Sequence, residues 1–417
     1  MSRSWFFLEQ GRSTGPVDEA GLAELFRTGR LNGASWLWFQ GLAAWQTAEQ
    51  LRPSLPPNVA AFLPPAGPAA APPPPPSGGQ GPLHGLAAGL SRYADLPTLT
   101  GVPVAQVLMG GLGSQGRPVD IEEELVVGTA STTPPLSSVA TVWPRPRIFW
   151  RIFGAAFLTY LFLYLAFAQF HNGNVIPGLI VVGSFMVPLS VLMLFFELNV
   201  PRNVSFYQTA RMFLFGGALS LLATLVVSEF VPGGGVQRFI PALLTGVVEE
   251  SGKALALLLV VGVVRYRWQL NGLLLGGAVG AGFAGFESAG YALGAALESQ
   301  SVAAATMSIL IRGILAPGGH VIWTAMVGSA IWKVKGERPF SLGVLFHPTV
   351  IRRWGIAVLL HGIWDTDLPV LPPLLKCALL TVVGWYLIFA ILKEALAEVE
   401  AAKRALPAGT TQMAAAG

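Results

Sequence analysis

The chain of 417 residues holds one cysteine, Cys377, and only 12% of its side chains are charged. A single cysteine excludes a disulfide framework and a cysteine-type zinc site. Soluble domains carry roughly 25% charged residues, so most of this chain is not a water-exposed globule. The mean hydropathy of +0.59 agrees. No HExxH run occurs, so any metal site lacks that local signature. No signal peptide is expected at the start, because "MSRSWFFLEQGRSTGP" turns polar before an apolar core can form. The net charge of +4 is small, and its placement matters more than its size.

What is present divides into parts. Residues 1–52 have soluble composition, with aromatics alternating among polar residues and glycines. Residues 53–145 read as a linker, largely disordered: "APPPPPSGGQGP" favours extended polyproline II and buries no core. Within it, "RPVDIEEELVVGTASTTPP" is either a short strand or more linker. Residues 146–393 form a series of apolar runs, and 394–417 form a tail. The expected fold is an all-α polytopic membrane helix bundle behind a small α+β domain.

Eight spans are expected, near 148–168, 175–196, 210–230, 239–264, 270–296, 304–332, 350–367 and 374–392. Each approaches or exceeds the ~20 residues that cross a hydrocarbon core. Lysine and arginine set the orientation. The segments "RPRIFWR", "VPRNVSFYQTAR", "RYRW", "KVKGERP" with "IRRW", and "KEALAEVEAAKR" are basic. The alternate loops "QFHNGN", "EFVPGGGVQR", "LESQSVA" and "DTDLPVLPP" contain one arginine together. A multi-pass cell-membrane protein with both termini cytoplasmic is therefore expected.

Against that frame of spans, "LLTGVVEESGKALALLLVV" (243–261) stands out, with Glu249, Glu250 and Lys253 in an apolar run. A charge at the bilayer centre costs ~2.5–3.5 kcal/mol on insertion scales. At 1.5 Å per residue, Glu249 and Glu250 lie roughly 15–17 Å deep and Glu287 roughly 25 Å from its cytoplasmic end. His320, His361 and Asp365 fall at a similar level. Glu249 and Lys253, Glu287 and Tyr291, and His361 and Asp365 are i,i+4 pairs sharing helix faces. One such pair is readily explained as helix–helix glue; three pairs plus His320 point to a site. A carboxylate in apolar surroundings can deprotonate water near neutral pH. Alternatively, Glu287, His320 and His361 make a two-histidine, one-carboxylate set suited to zinc. With no zinc motif, and with glutamates outnumbering histidines at this depth, the residues favour the metal-free alternative. Serine and aspartate intramembrane mechanisms fit poorly, because Asp365 has no second membrane aspartate beside it.

"EESGK" (249–253), "FESAGY" (286–291), "HVIWTAMVG" (320–328) and "HGIWD" (361–365) together resemble the motifs of PrsW-family intramembrane proteases, over roughly residues 148–393. The resemblance implies an endopeptidase acting on membrane-anchored protein substrates, among them regulators such as anti-sigma factors. It implies catalytic roles for Glu249, Glu250, Lys253, Glu287, His320, His361 and Asp365. Whether the mechanism uses a metal stays open at this point. The head resembles a GYF-like domain through Trp5-Phe6-Phe7, Gly15-Pro16-Val17, the helix "EAGLAELFRTGRL", and Trp36 to Trp45 with Gly41 at a turn. That implies a proline-rich peptide as a partner, with the run Pro72 to Pro76 a candidate in cis. Asp18 is the expected helix N-cap and Gly29 the expected stop.

Other signals carry less. "GAGFAG" (280–285) sits mid-membrane with no strand before it, so small-residue packing explains it better than dinucleotide binding. The sequon at Asn203 falls in a cytoplasmic loop. His84, His171 and His347 lie in loops or at span edges. Arg312, two turns before His320, has three readings: snorkelling, pairing with a glutamate, or gating. Membrane lipid is an expected partner and nucleic acid is not. Competing functional classes are an ion or solute transporter and a catalytically inert scaffold.

Overall fold

The computed structural model describes residues 4–9, 12–39, 42, 45–63, 82–112, 125–230, 238–261 and 266–406. The chain divides into two compact units, Met1–Gln80 and Gly81–Gly417. The proline run and Gly41 lie outside the described residues.

In the first unit, β1 (Trp5–Glu9), β2 (Arg12–Val17), β3 (Trp36–Phe39) and β4 (Gln46–Thr47) form an antiparallel sheet in the order β2-β1-β3-β4. Strand alternation buries Trp5, Phe7 and Leu37 against Leu22 and Phe26 of α1 (Glu19–Arg27). Phe6, Trp38 and Trp45 gather at ring spacings of 5.7 and 6.5 Å, none of them fully buried. Asp18 Oδ1 accepts the Gly21 N–H at 2.8 Å, and Gly29 follows the helix at φ +71°, as the sequence predicts. The core runs further than residue 52: Leu55, Val59 and Leu63, before, in and after α2 (Pro57–Ala60), are buried with it. A unit this small has a marginal core, and these residues extend it.

The second unit is helical. The parts of 82–145 that are described differ from the linker reading. They hold α3 (Pro82–Ala94) and α4 (Val104–Met109), and they bury Ala94, Val107, Val127 and Val139 in one core with the membrane helices. Polar ties accompany that burial: Ser91 Oγ to Tyr386 Oη at 2.7 Å, and Lys393 Nζ to the carbonyls of Thr98 (3.0 Å) and Thr100 (2.6 Å). Composition understated these residues because their apolar side chains are scattered.

After them come α5 (Ile148–Phe170), α6 (Ile176–Leu198), α7 (Phe206–Ser228), α8 (Phe239–Val261), α9 (Gln269–Ser299), α10 (Val302–Leu315), α11 (His320–Lys335), α12 (Pro348–Asp365) and α13 (Pro373–Arg404). Among the described residues, six helical segments are long and apolar enough to cross a membrane. The expected fourth and seventh spans, α8 and α12, are absent from that set. They carry the charged motifs, and α12 is short. The expected sixth span is divided: α10 ends, Ala316–Gly318 turns as a 3₁₀ segment, and α11 begins at His320. "APGG" supplies the breakers, and Trp385 Nε1 of α13 donates to the freed Pro317 carbonyl at 3.0 Å. The first residues of the tail are part of α13, which continues unbroken to Arg404, and residues 407–417 lie outside the described residues.

Glycines let the helices around the break meet backbone to backbone. A Cβ on Gly272, Gly276 or Gly280 of α9 would stand 2.2, 2.4 or 2.3 Å from the carbonyls of Gly328, Thr324 and His320 on α11. Gly246 of α8 meets Val358 of α12 in the same way, at 2.9 Å. This is the small-residue packing expected of "GAGFAG", extended one turn-pair earlier. Gly276→Leu is expected to lower the yield of folded, monodisperse protein in detergent severalfold, whereas Leu293→Ala on the exposed end of α9 leaves it unchanged. Size-exclusion profiles of the two variants check this.

Candidate active site

Four helices bring the predicted residues together. On α8, Glu249, Glu250 and Lys253 follow one another at i, i+1 and i+4, which turns all three toward the interior. Lys253 is wholly buried and Glu250 is 1% exposed. The Lys253 ammonium donates to Glu249 Oε2 at 3.0 Å and Glu250 Oε1 at 2.8 Å, and lies 2.9 Å from His320 Nδ1. It also stands 3.9 Å from the centre of the Phe283 ring, a cation–π contact strengthened by desolvation.

His320 opens α11 because the backbone breaks just before it. Its other nitrogen, Nε2, lies 3.1 Å from Glu287 Oε2. The Arg312 guanidinium pairs with the same carboxylate, bonds Ser288 Oγ at 2.9 Å and lies over the Tyr291 ring at 4.4 Å. Of the three readings of Arg312, pairing is the one observed. His361 on α12 places Nδ1 3.1 Å from Glu250 Oε1, and Nε2 3.6 Å from Glu249 Oε2 and 3.3 Å from Asp365 Oδ2. All seven predicted residues therefore belong to one connected network. Tyr291 is exposed and sits at its edge. His347 caps α12 and His171 ends α5, both away from the site; the His84 side chain lies outside the described atoms.

Sequence reasoning passed over the aromatic walls. Trp323 stacks on the His361 ring at 4.8 Å, Trp364 meets Trp323 at 5.6 Å, and Phe283 meets His320 at 4.9 Å. A signal existed: both histidines open the same run, "HVIW" and "HGIW", with tryptophan one helical turn on.

The donor set is one that could hold a metal ion. Glu249, His320 and His361 offer ligand atoms within 4.8 Å of one another. The carboxylate in this group is Glu249, whereas the sequence reading had placed Glu287 there. Glu287 instead holds the far nitrogen of His320, the place of an orienting carboxylate behind a ligating histidine. Charge points the same way. Four carboxylates (Glu249, Glu250, Glu287, Asp365) face two fixed cations (Lys253, Arg312), and ligating imidazoles are neutral. With both imidazoles neutral, as ligation requires, one divalent cation would balance the two remaining negative charges. Glu250 Oε2 is buried with no hydrogen-bond partner among the described residues, so one acceptor in the cluster remains to be satisfied. The residues fit a metal.

Residues 205–392 match the model of the PrsW family intramembrane metalloprotease. This part of the chain is similar to the PrsW family. The match takes in α7 to α12, most of α13, and all seven network residues. Residues 5–52 match the GYF domain 2 model. No curated protein and no solved structure matches the chain. The PrsW-family match supports a membrane peptidase and implies a metal, whereas residue counts alone had favoured a metal-free mechanism. Glutamates outnumber histidines here because two of them, Glu250 and Glu287, surround the donor group instead of joining it.

Lys253 holds the PrsW network together electrostatically. Lys253→Met is expected to leave Glu249 and Glu250 buried without their cation and to cost about 3–5 kcal/mol, read as an earlier unfolding midpoint in a denaturant titration of the purified protein. An unchanged midpoint would show that the ammonium is not what keeps these carboxylates buried.

Proposed function

We propose that this chain is a metal-dependent intramembrane endopeptidase that cleaves membrane-anchored proteins, with regulators such as anti-sigma factors as the substrate class. The observation that carries the reading is the buried Glu249, His320 and His361 group with the unpartnered Glu250 oxygen beside it. Glu249, His320 and His361 would hold the metal, and zinc suits two imidazoles and one carboxylate with an open position. Bound there, such a metal polarises a carbonyl and acidifies water.

The remaining roles fall to the chain's own groups. Glu250 takes the proton from the attacking water through its free oxygen and passes it to the leaving amine. Lys253, 2.8 Å from Glu250 Oε1, fixes that carboxylate in place and supplies positive charge where an oxyanion develops. Glu287 orients His320, and Asp365 orients His361. Trp323, Trp364 and Phe283 exclude bulk water, which strengthens each of these interactions.

The alternation of basic segments supports eight spans, with α8 and α12 added to the six long apolar segments, and both termini in the cytoplasm of a cell-membrane protein. Reporter fusions after residues 145 and 406 are expected to give a cytoplasmic signal at both points; an external signal at either removes the eight-span topology. The GYF match supports a proline-rich peptide as partner of the first unit, met by the face bearing Phe6, Trp38 and Trp45.

Glu250→Gln is expected to slow cleavage of a single-span substrate by at least about 100-fold while keeping bound metal. His320→Ala and His361→Ala are expected to lose both cleavage and metal, measured by elemental analysis of the purified variants. Cleavage at the wild-type rate by Glu250→Gln would remove it from the reaction, and full metal content in both histidine variants would remove the metal assignment.

A further inference from the structure

A second polar cavity lies apart from the protease site, where α5 begins and α6 ends. It has a volume of about 790 Å³ and is lined by Arg145, Arg147 and Arg202 with a single carboxylate, Glu197. That volume is within the ~300–1,000 Å³ usual for small-molecule sites. The lining carries a surplus of two positive charges. Glu197 is already committed to the helix start: Oε1 accepts the N–H groups of Arg147 (2.5 Å) and Ile148 (2.9 Å), and Oε2 that of Phe149 (2.9 Å). These bonds satisfy donors that the first turn of α5 would otherwise leave open.

Position in the bilayer gives the cavity its meaning. The candidate spans Ile148–Phe170 and Gly173–Leu198 meet water at the cavity, Arg147 and Ile148 at the start of one and Phe196 and Glu197 at the end of the other. Phospholipid phosphates occupy that level. Apolar surface continues from the basic lining: Val126 and Val142, both in the wall, are 64% and 73% exposed.

The walls are fixed before any ligand arrives. Gly128, at φ +82°, lies so close to the next segment that a Cβ would stand 2.2 Å from the Ser205 nitrogen. Lys403 Nζ donates to the Val139 carbonyl at 2.8 Å, and Gln106 Nε2 reaches the Trp143 carbonyl at 3.4 Å. Arg202 itself has a left-handed backbone, φ +47°, costly for a residue with a side chain.

We infer that this cavity is a binding site for the phosphate-bearing headgroup of an anionic phospholipid. Guanidinium groups pair with phosphate through paired N–H donors, and basic pockets at the ends of membrane helices take such headgroups. Bound lipid would join the 126–147 segment to the α5–α6 hairpin through one phosphate. The site is independent of the peptidase reading.

The test uses the full chain purified in detergent and offered phosphatidylglycerol and phosphatidylcholine of the same acyl chains, with retained lipid read by native mass spectrometry. Wild type is expected to retain phosphatidylglycerol roughly tenfold over phosphatidylcholine. The double variant Arg145→Gln/Arg202→Gln, taken as its monodisperse folded fraction, falls to parity, and Arg145→Lys/Arg202→Lys keeps most of the preference. Millimolar inorganic phosphate leaves the lipid in place. Parity in wild type, or an undiminished preference in the folded glutamine variant, overturns the site. Displacement of phosphatidylglycerol by inorganic phosphate overturns the lipid assignment in favour of a free-anion site.

Discussion

One ammonium group, that of Lys253, is the centre on which the membrane unit is arranged. It is wholly buried, and an isolated charge there would cost several kcal/mol. It survives because Glu249, Glu250 and His320 close around it within 3.0 Å and the Phe283 ring covers it. Each partner needs support in turn. His320 leans on Glu287, Glu287 on Arg312, and His361 on Glu250 and Asp365. The network stops where Arg312 and Asp365 reach partly exposed positions. With both imidazoles neutral, its four carboxylates outnumber the two fixed cations by two, which is the balance a divalent cation would restore.

Such a cluster forms only if four helices approach closely. Side chains on both sides of α9 and α11 would hold the axes too far apart for Lys253 to reach His320. The glycines at 272, 276 and 280 remove that obstacle on one side of the site, and Gly246 with Gly362 removes it on the other. The break before His320 does further work. It starts α11 at the depth of the cluster, so the imidazole enters from a helix end instead of lying along a continuous span.

The opposite ends of these helices are held by a second set of charges. Arg353 on α12 is fully buried, and it donates to Glu394 of α13 at 2.8 Å and to Ser329 of α11 at 3.1 Å. Glu394 also accepts from Lys333 and from Gln269 of α9. Four helices share one carboxylate there. Fixing α12 at Arg353 and at Gly362 sets its rotation, and its rotation places His361.

Much was legible in the sequence. Apolar runs, the alternation of basic loops and the out-of-place polar residues of "EESGK", "FESAGY", "HVIWTAMVG" and "HGIWD" were enough to predict a polytopic helical unit and to name all seven network residues. Burying a charge in lipid is so unfavourable that its presence is informative by itself. Asp18 and Gly29 were equally readable, because capping chemistry is local. Other features were not readable. Spacing cannot say which of three glutamates faces two histidines, since that depends on helix rotation and axial offset, and packing at the glycines sets both. Nor did composition reveal that residues 82–112 and 125–147 join the membrane core. Their apolar residues lack a helical period long enough to count, and they become buried only against other parts of the folded unit. The sequence by itself determined which groups had to be hidden from lipid and roughly at what depth. Only the tertiary structure decided that Glu249 joins the histidines while Glu287 stands behind one of them, because a carboxylate's role depends on neighbours contributed by other helices.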